Sequence, residues 1–411
     1  MQHYFYDTCA LLNHSKMIFE QSKEKFYISN LTLKELENIK TSFNKDAEIK
    51  YKARRVAQEL ITYEDKYEVI NYKQSYDEQL KQYDVLSDNM DSRIILTALA
   101  TKDCIFVTDD LYCSQIAKSL NIPVKFLFTE NDNYKGYTII TPKDEDEMAY
   151  TYKTIFDNPS EFNLKNHEYL LIRTDEGIVD KYILIDNELE RLTDFISFDS
   201  TQFGKVKARD AYQAIAMDSL RRNKITALRG PAGSGKSYLA MSYLFSQLEH
   251  GKIDRIVIFC NTVATNGSAK LGYYPGTKDE KLLDSQIGNF LTSKVGDRIQ
   301  VEKYMGEGQI ILLPMSDIRG FDTTGMNAGI YITEAQNMDI ELMKLALQRI
   351  GEDSICILDG DDTAQVDLGI YAGSNNGLRR VSQVFRGENI YGEVTLPNIY
   401  RSKIAKIAQK M

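Results

Sequence analysis

Cysteine is scarce in this 411-residue chain, and none of its five residues forms a Cys-x-x-Cys pair. Cys9, Cys104, Cys113, Cys260 and Cys356 are scattered. That excludes a disulfide framework and a zinc spacing, and it fits small core residues in a reducing cytosol. Long apolar runs are missing too. No window approaches the length needed to span a bilayer, so no membrane segment is expected. The start, Met1-Gln-His-Tyr-Phe-Tyr-Asp7, has neither a basic n-region nor an apolar h-region, so no signal peptide is expected and the chain reads as cytoplasmic. Positive charge is in deficit: 50 Lys and Arg against 59 Asp and Glu leave a net charge of −9. This argues against a surface coated with cations for nucleic-acid phosphates. Local clusters remain at Lys50-Tyr-Lys-Ala-Arg-Arg55 and Arg221-Arg-Asn-Lys224, each readable as a solvated helix face or as a phosphate contact. Internal repeats and low-complexity linkers are absent.

What is present is globular. Hydrophobic residues at 43% and charged ones at 27% are ordinary for a soluble fold, and the length predicts two or three domains. The sharpest signal is Gly230-Pro-Ala-Gly-Ser-Gly-Lys-Ser237, comprising Gly230, Pro231, Ala232, Gly233, Ser234, Gly235, Lys236 and Ser237. An apolar run, Ile225-Thr-Ala-Leu228, leads in and an amphipathic stretch over Tyr238 to Leu248 follows, the strand–loop–helix context of a phosphate-cradling P-loop. Its glycines let backbone N–H groups turn toward phosphate oxygens at the positive end of a helix dipole. Lys236 would reach the β/γ-phosphates of ATP, and Ser237 would ligate Mg²⁺.

Three regions separate along the chain. Residues 1–135 alternate strands (Tyr4-Phe-Tyr, Phe26-Tyr-Ile, Cys104–Val107, Val124–Phe128) with helices (Thr8–Gln21, Thr32–Lys40, Glu48–Tyr63, Asp91–Ala100, Ser114–Leu120), which predicts a parallel α/β sheet. Residues 136–200 hold two short strands around the turn Thr174-Asp-Glu-Gly177, a small antiparallel β unit linking two larger domains. The acidic run Lys143-Asp-Glu-Asp-Glu147 reads as a solvated helix start. Residues 201–411 return to α/β alternation, with strands at Ile225–Leu228, Arg255–Cys260, Ile310–Leu313, Gly329–Thr333 and Ile355–Asp359.

Downstream of the P-loop, Gly329-Ile-Tyr-Ile-Thr-Glu334 is an apolar strand ending in a carboxylate, where a P-loop ATPase orients or activates the attacking water. Gln365 follows the next strand at a position suited to sensing the γ-phosphate. Arg401 is a candidate arginine finger, and Gln213 would read the adenine edge. In the first domain, Asp7, Glu35, Asp91 and Asp110, with Asp109 alongside, fall at strand ends or helix starts. In a parallel sheet such positions share one crevice. Carboxylates crowded there repel one another unless a divalent cation neutralises them, and oxygen donors suit Mg²⁺ or Mn²⁺. The same residues read equally well as helix caps.

With these residues in view, 205–411 resembles the PhoH family of ATPases, which are related to superfamily 1 helicases. The matching stretches are Gln213, the P-loop, Leu271-Gly-Tyr-Tyr-Pro-Gly276, Ile318-Arg-Gly320, Thr333-Glu-Ala-Gln-Asn337, the Gly-Asp…Gln segment (360–365) and Tyr400-Arg401. Two departures stand out. The family carries Asp-Glu where this chain has Thr333-Glu334, and the Gly-Asp…Gln segment is one residue longer. Residues 1–130 are similar to a PIN domain, the fold of metal-dependent ribonucleases, whose acidic set falls on Asp7, Glu35, Asp91 and Asp110. Thr8 and Thr108 match the small hydroxyl positions beside the first and last acids. The order PIN domain, small β linker, PhoH ATPase is itself a known fusion.

The resemblance implies an α/β fold throughout: a PIN-like α/β/α sandwich, a β linker and a RecA-like parallel-sheet domain. It further implies single-stranded RNA as substrate, coupled NTP hydrolysis and nuclease action, and a hexameric homo-oligomer. The resulting expectation is a cytoplasmic, ATP-driven RNA-processing enzyme. Its rival is a nucleotide-binding regulatory module with hydrolysis impaired by Thr333 and a structural acidic cluster.

Overall fold

The computed structural model describes residues 3–22, 24–42, 47–101, 103–127, 134–193, 196–260, 286–361 and 376–400. Two compact units divide the chain, Met1–Asp132 and Asn133–Met411.

In the first unit, β1 (His3–Tyr6), β2 (Phe26–Ser29), β3 (Tyr67–Ile70), β4 (Cys104–Val107) and β5 (Val124–Lys125) form one parallel sheet in the order β3-β2-β1-β4-β5. The helices are α1 (Thr8–Gln21), α2 (Asn30–Thr41), α3 (Ala47–Thr62), α4 (Tyr76–Leu80), α5 (Met90–Ala100) and α6 (Leu111–Ser119). The central strands are short and apolar because helices cover both faces. Tyr6, Phe26, Ile28 and Val107 pack with Phe19 and Val56 on one side, and Phe5 and Phe106 pack with Ile94, Ile95 and Ile116 on the other. Each fully buried Phe or Ile contributes about 1.5–3 kcal/mol of transfer free energy. The edge strand β3 and the short α4 escape sequence reading, since no residue of either is fully buried and the apolar pattern is correspondingly weak.

The second unit opens with β6 (Tyr137–Ile140), α7 (Glu145–Asp157), β7 (Tyr169–Thr174), β8 (Gly177–Ile185) and β9 (Glu188–Arg191). The acidic run is a helix start as expected: Asp144 caps α7, and Glu145, Asp146 and Glu147 fill the first turn, favoured by the helix dipole. The sheet is mixed, not purely antiparallel. β6 runs parallel to β7 because α7 crosses over between them, while β7, β8 and β9 pair antiparallel. This sheet shares its core with the elements that follow: Tyr169, Leu171 and Ile183 pack in one cluster with Ile215, Leu228 and Leu244. The buried Tyr169 hydroxyl donates to Asp218 Oδ2 at 3.0 Å, and Arg173 donates to the Tyr212 hydroxyl at 2.8 Å.

A two-stranded ribbon, β10 (Ser197–Ser200) and β11 (Gly204–Lys207), precedes α8 (Ala211–Arg222). Then come β12 (Ile225–Arg229), α9 (Lys236–Glu249), β13 (Arg255–Cys260), β14 (Ile310–Pro314), β15 (Ala328–Ile332), β16 (Ile355–Gly360) and β17 (Tyr391–Thr395). The six strands from β12 onward are all parallel, in the order β14-β13-β15-β16-β12-β17. The P-loop strand β12 therefore lies between β16 and β17, with β15 one strand further away. Ligands of such sheets bind beyond the carboxyl ends of the strands.

Candidate nucleotide and nuclease sites

Residues 230–235 join β12 to α9 as the P-loop spacing requires, and the backbone explains the glycines. Gly230, Gly233 and Gly235 have φ of 127°, 86° and 99°, a region that side chains with a Cβ rarely adopt. A Cβ on Gly230 would also stand 2.3 Å from the Leu396 carbonyl oxygen. Lys236 and Ser237 begin the helix. The lysine is nearly buried, and its amine donates to the loop's own carbonyls, Gly230 O at 2.5 Å and Pro231 O at 3.1 Å. Ser234 Oγ is fully buried with no hydrogen-bond partner among the described residues. A buried orphan hydroxyl, a lysine resting on carbonyls and three glycines curling one loop fit a polyphosphate, which would satisfy all of them.

Across the sheet, Ser237 Oγ donates to Asp359 Oδ2 at 2.6 Å. The Tyr331 hydroxyl donates to the same oxygen at 2.6 Å, and Glu334 N donates to Asp359 Oδ1 at 3.2 Å. Burial first, then the Asp359 charge, pushes the Tyr331 phenol far above its usual range, so it stays a neutral donor. Glu334 sits just past β15 with φ at 51°, left-handed for a residue that carries a side chain. Its Oε2 accepts from Gln336 Nε2 at 2.6 Å, and Gln336 Oε1 accepts from Asp361 N at 3.2 Å. Sequence reading singled out Glu334 but missed Asp359 and Gln336. The signal for Asp359 was a carboxylate at the end of the strand that turns out to neighbour the P-loop strand.

The Gln213 side chain lies against the loop. Its Nε2 donates to Ser234 O at 3.1 Å, and its Oε1 accepts from Arg209 N at 3.1 Å. The segment after β17 is tied to the same loop: Leu396 N donates to Arg229 O at 2.8 Å and Tyr400 N to Gly233 O at 2.9 Å. The Tyr400 hydroxyl donates to Asp210, the N-cap of α8. Gln365, Arg401 and Leu271-Gly-Tyr-Tyr-Pro-Gly276 lie outside the described residues.

In the first unit β1 pairs with both β2 and β4; Asp7, Glu35 and Asp110 follow these strands, while Asp91 lies in the first turn of α5. Asp7 is buried and caps α1, accepting from Ala10 N at 2.8 Å; the Thr108 hydroxyl also donates to it. Burial first pushes its carboxyl up to about 7, against hydrogen bonds that lower it, and the Asp109 charge raises it further. Thr8 Oγ1 donates to Glu35 Oε2 at 2.5 Å. Asp110 caps α6, accepting from Cys113 N at 2.9 Å, whereas α5 is capped by Asn89 and not by Asp91. Asp91 is raised by partial burial and then by Asp110. After burial, the charges of Asp110, Asp91 and Asp7 all act to raise the Cys113 thiol. Asp109 instead pairs with His14 at 2.7 Å. The cap reading thus holds for Asp7 and Asp110. The donors are hard oxygens and their crowding is what a divalent cation relieves, which fits Mg²⁺ or Mn²⁺ chemically. Among the described residues, no three His, Cys, Asp or Glu side chains are already disposed to hold an ion.

The family profile for PhoH-like protein matches residues 205–411, just over half of the chain. The chain belongs to the PhoH family. A PIN-domain profile matches residues 4–126. Protein PhoH2 of Thermobispora bispora is 27% identical over 342 residues, covering 79% of this chain and 75% of that protein. Protein PhoH2 of Bacillus subtilis is 31% identical over 259 residues, 61% of this chain and 56% of the relative. For Protein PhoH2 of Mycolicibacterium smegmatis the figures are 30% identity over 217 residues, 52% and 48%. This chain thus spans about half the length of the last two.

The PhoH match spans the P-loop, Asp359, Glu334 and Gln336, and the domain it covers is a P-loop NTPase fold. No described helix is long and apolar enough to cross a membrane. In the basic cluster at 221–224, Arg222 pairs with Asp218 at 2.8 Å and Glu190 at 3.3 Å.

Proposed function

We propose that the chain is an ATP-driven RNA-processing enzyme in which the PhoH unit hydrolyses ATP to move or remodel single-stranded RNA and the PIN unit cuts it. The observation that carries this reading is the meeting of P-loop, Asp359 and Glu334 at the carboxyl ends of β12, β16 and β15. A loop that only stores nucleotide needs no carboxylate poised beyond it. In the reading, Lys236 leaves its loop carbonyls for the β/γ-phosphates, and Ser237 would hold Mg²⁺. Glu334 orients the attacking water and takes its proton, with Gln336 fixing the carboxylate. Gln213 couples adenine recognition to the shape of the loop through Ser234 O. Gln365 senses the γ-phosphate, and Arg401 is the arginine finger. A homo-oligomeric ring, a hexamer, would let one copy's finger reach another's site.

In the PIN unit, Asp7, Glu35, Asp91 and Asp110 would hold Mg²⁺ or Mn²⁺, which supplies the charge that polarises a phosphodiester. Support comes from the raised Asp7 and Asp91 carboxyls, groups that gain most from a nearby cation. The test is incubation of labelled single-stranded RNA with the full chain and Mn²⁺, with and without ATP, beside a steady-state ATPase assay with and without RNA. RNA-stimulated hydrolysis and Mn²⁺-dependent cutting are expected. Cutting that persists in Asp7→Asn and Asp91→Asn, or hydrolysis untouched by any RNA, would overturn it.

A further inference from the structure

We propose that Asp359 supplies the carboxylate that the family places at position 333, positioning the Ser237 hydroxyl and, through it, the cation that accompanies the nucleotide. The proposal rests on the ATP-binding reading and goes beyond it by reassigning a role between two strands. Thr333 stands where a carboxylate is expected, yet the site is not short of one. Ile332 pairs with Leu358, so position 333 and Asp359 extend from neighbouring strand ends. Asp359 also pairs with Leu228 on β12, which places it one strand nearer the P-loop than Thr333.

Three donors converge on this side chain. Ser237 Oγ and the Tyr331 hydroxyl each lie 2.6 Å from Oδ2, and Glu334 N lies 3.2 Å from Oδ1. Asp359 is only 2% exposed, and a buried carboxylate without such partners would be costly. The direction of the serine bond is the functional point. A hydroxyl that gives its proton to Asp359 keeps its oxygen lone pairs for a cation, and the nearby negative charge strengthens that oxygen as a ligand. Glu334, held through its N–H by the same carboxylate, is thereby set in register with Ser237. The competing account is a purely structural one, in which Asp359 merely satisfies the buried Tyr331 phenol.

The experiment measures affinity of the full-length chain for a fluorescent ADP analogue, once in Mg²⁺ and once in excess EDTA. The ratio of the two is the gain due to the cation. Asp359→Asn is expected to cut that gain about tenfold or more, the size of one lost charged hydrogen bond, while affinity in EDTA stays within about threefold. The exchange variant Thr333→Asp with Asp359→Thr moves the carboxylate one strand over and is expected to keep most of the gain. It also carries the test if Asp359→Asn does not fold. A folded Asp359→Asn with the parent's gain, or a folded exchange variant that lacks it, would overturn the proposal and leave the structural account. A parent chain that binds the analogue with no gain from Mg²⁺ would overturn this proposal alone, whereas one that does not bind the analogue at all would bring down the ATP-binding reading with it.

Discussion

Gln336 Nε2 lies 2.6 Å from Glu334 Oε2, and its other amide atom accepts from Asp361 N, so one side chain bridges the two strand ends that flank the site. Glu334 needs such a clamp. Its backbone is left-handed, with φ at 51°, a conformation that costs a residue with a side chain on the order of 1–3 kcal/mol unless its surroundings hold it. Strain at this position is consistent with a carboxylate aimed at a reacting water. Glu334→Gln should bind nucleotide as the parent does and stop hydrolysis, because an amide cannot take the water's proton. Gln336→Ala should keep the carboxylate but loosen it, lowering kcat about tenfold, as expected for one lost charged hydrogen bond. Steady-state ATPase rates and fluorescent-nucleotide affinity separate the two effects. Full turnover in Glu334→Gln would move catalysis elsewhere, most directly to Asp361.

Lys236 tests the loop itself. Its amine donates to Gly230 O and Pro231 O, so it is held inside the loop before any phosphate arrives. Lys236→Ala removes the one cation of the P-loop and leaves the three positive-φ glycines in place. ATP affinity should fall by about tenfold or more, since hydrogen bonds to charged groups contribute roughly 1.5–3 kcal/mol each. Little change is expected in thermal unfolding without nucleotide, because the neutral loop carbonyls can be hydrated. Parent-like affinity in a folded Lys236→Ala chain would remove the P-loop assignment.

How much of this was legible in the sequence follows from where each signal lives. The P-loop is local: eight consecutive residues with a strand before and a helix after. Asp7 and Asp110 were legible as helix caps because the apolar strands β1 and β4 announce their own ends. Asp359 was not legible as the partner of Ser237, 122 residues away, because only the strand order brings β16 beside β12. The same holds for Tyr400, whose N–H ties to Gly233 O across the sheet. β17 escaped as well: Tyr391-Gly-Glu-Val-Thr395 buries a charged Glu393 mid-strand, which interrupts the apolar pattern. The parallel pairing of β6 with β7 was hidden by the intervening helix, since strand residues carry no mark of their partner's direction.

Asp7 predicts a pH dependence. Its folded carboxyl titrates at about 7 against an ordinary value of 3.8, so between those limits the native chain holds a proton that the unfolded chain has lost. Stability from this group is complete below about pH 4 and is lost as pH rises through about 7, by a few kcal/mol for a shift of this size. Asp7→Asn removes the titration and keeps an oxygen to cap Ala10 N. In calorimetry without divalent ions, the transition containing the PIN unit should therefore rise in Asp7→Asn relative to the parent at pH 8. At about pH 3.5 the two should nearly coincide. Mn²⁺ added at pH 8 should stabilise the parent and not the variant. A variant less stable than the parent at pH 8 would contradict the burial argument.

The last prediction concerns the strand that feeds the P-loop. Arg229, the final residue of β12, meets Glu393 of β17 at 2.6 Å, with side chains 11% and 0% exposed, and the Tyr391 hydroxyl donates to the other Glu393 oxygen at 2.8 Å. The pair sits immediately before Gly230 and also anchors the backbone by an Arg229 bond to Tyr134 O at 3.3 Å. Two charges so placed were desolvated together, and removing one strands the other. Glu393→Gln should cost about 3–5 kcal/mol of stability, the usual range for breaking a buried pair. The double variant Arg229→Met with Glu393→Leu should recover most of that loss, because neither charge then remains to be solvated. Denaturant unfolding of the full chain measures both. Nucleotide affinity should follow the same order, falling in the single variant and returning in the double, since β12 sets the entry of the loop. A single variant costing less than about 1 kcal/mol, the value of an exposed pair, would mean that the pair is solvated and does not brace the loop.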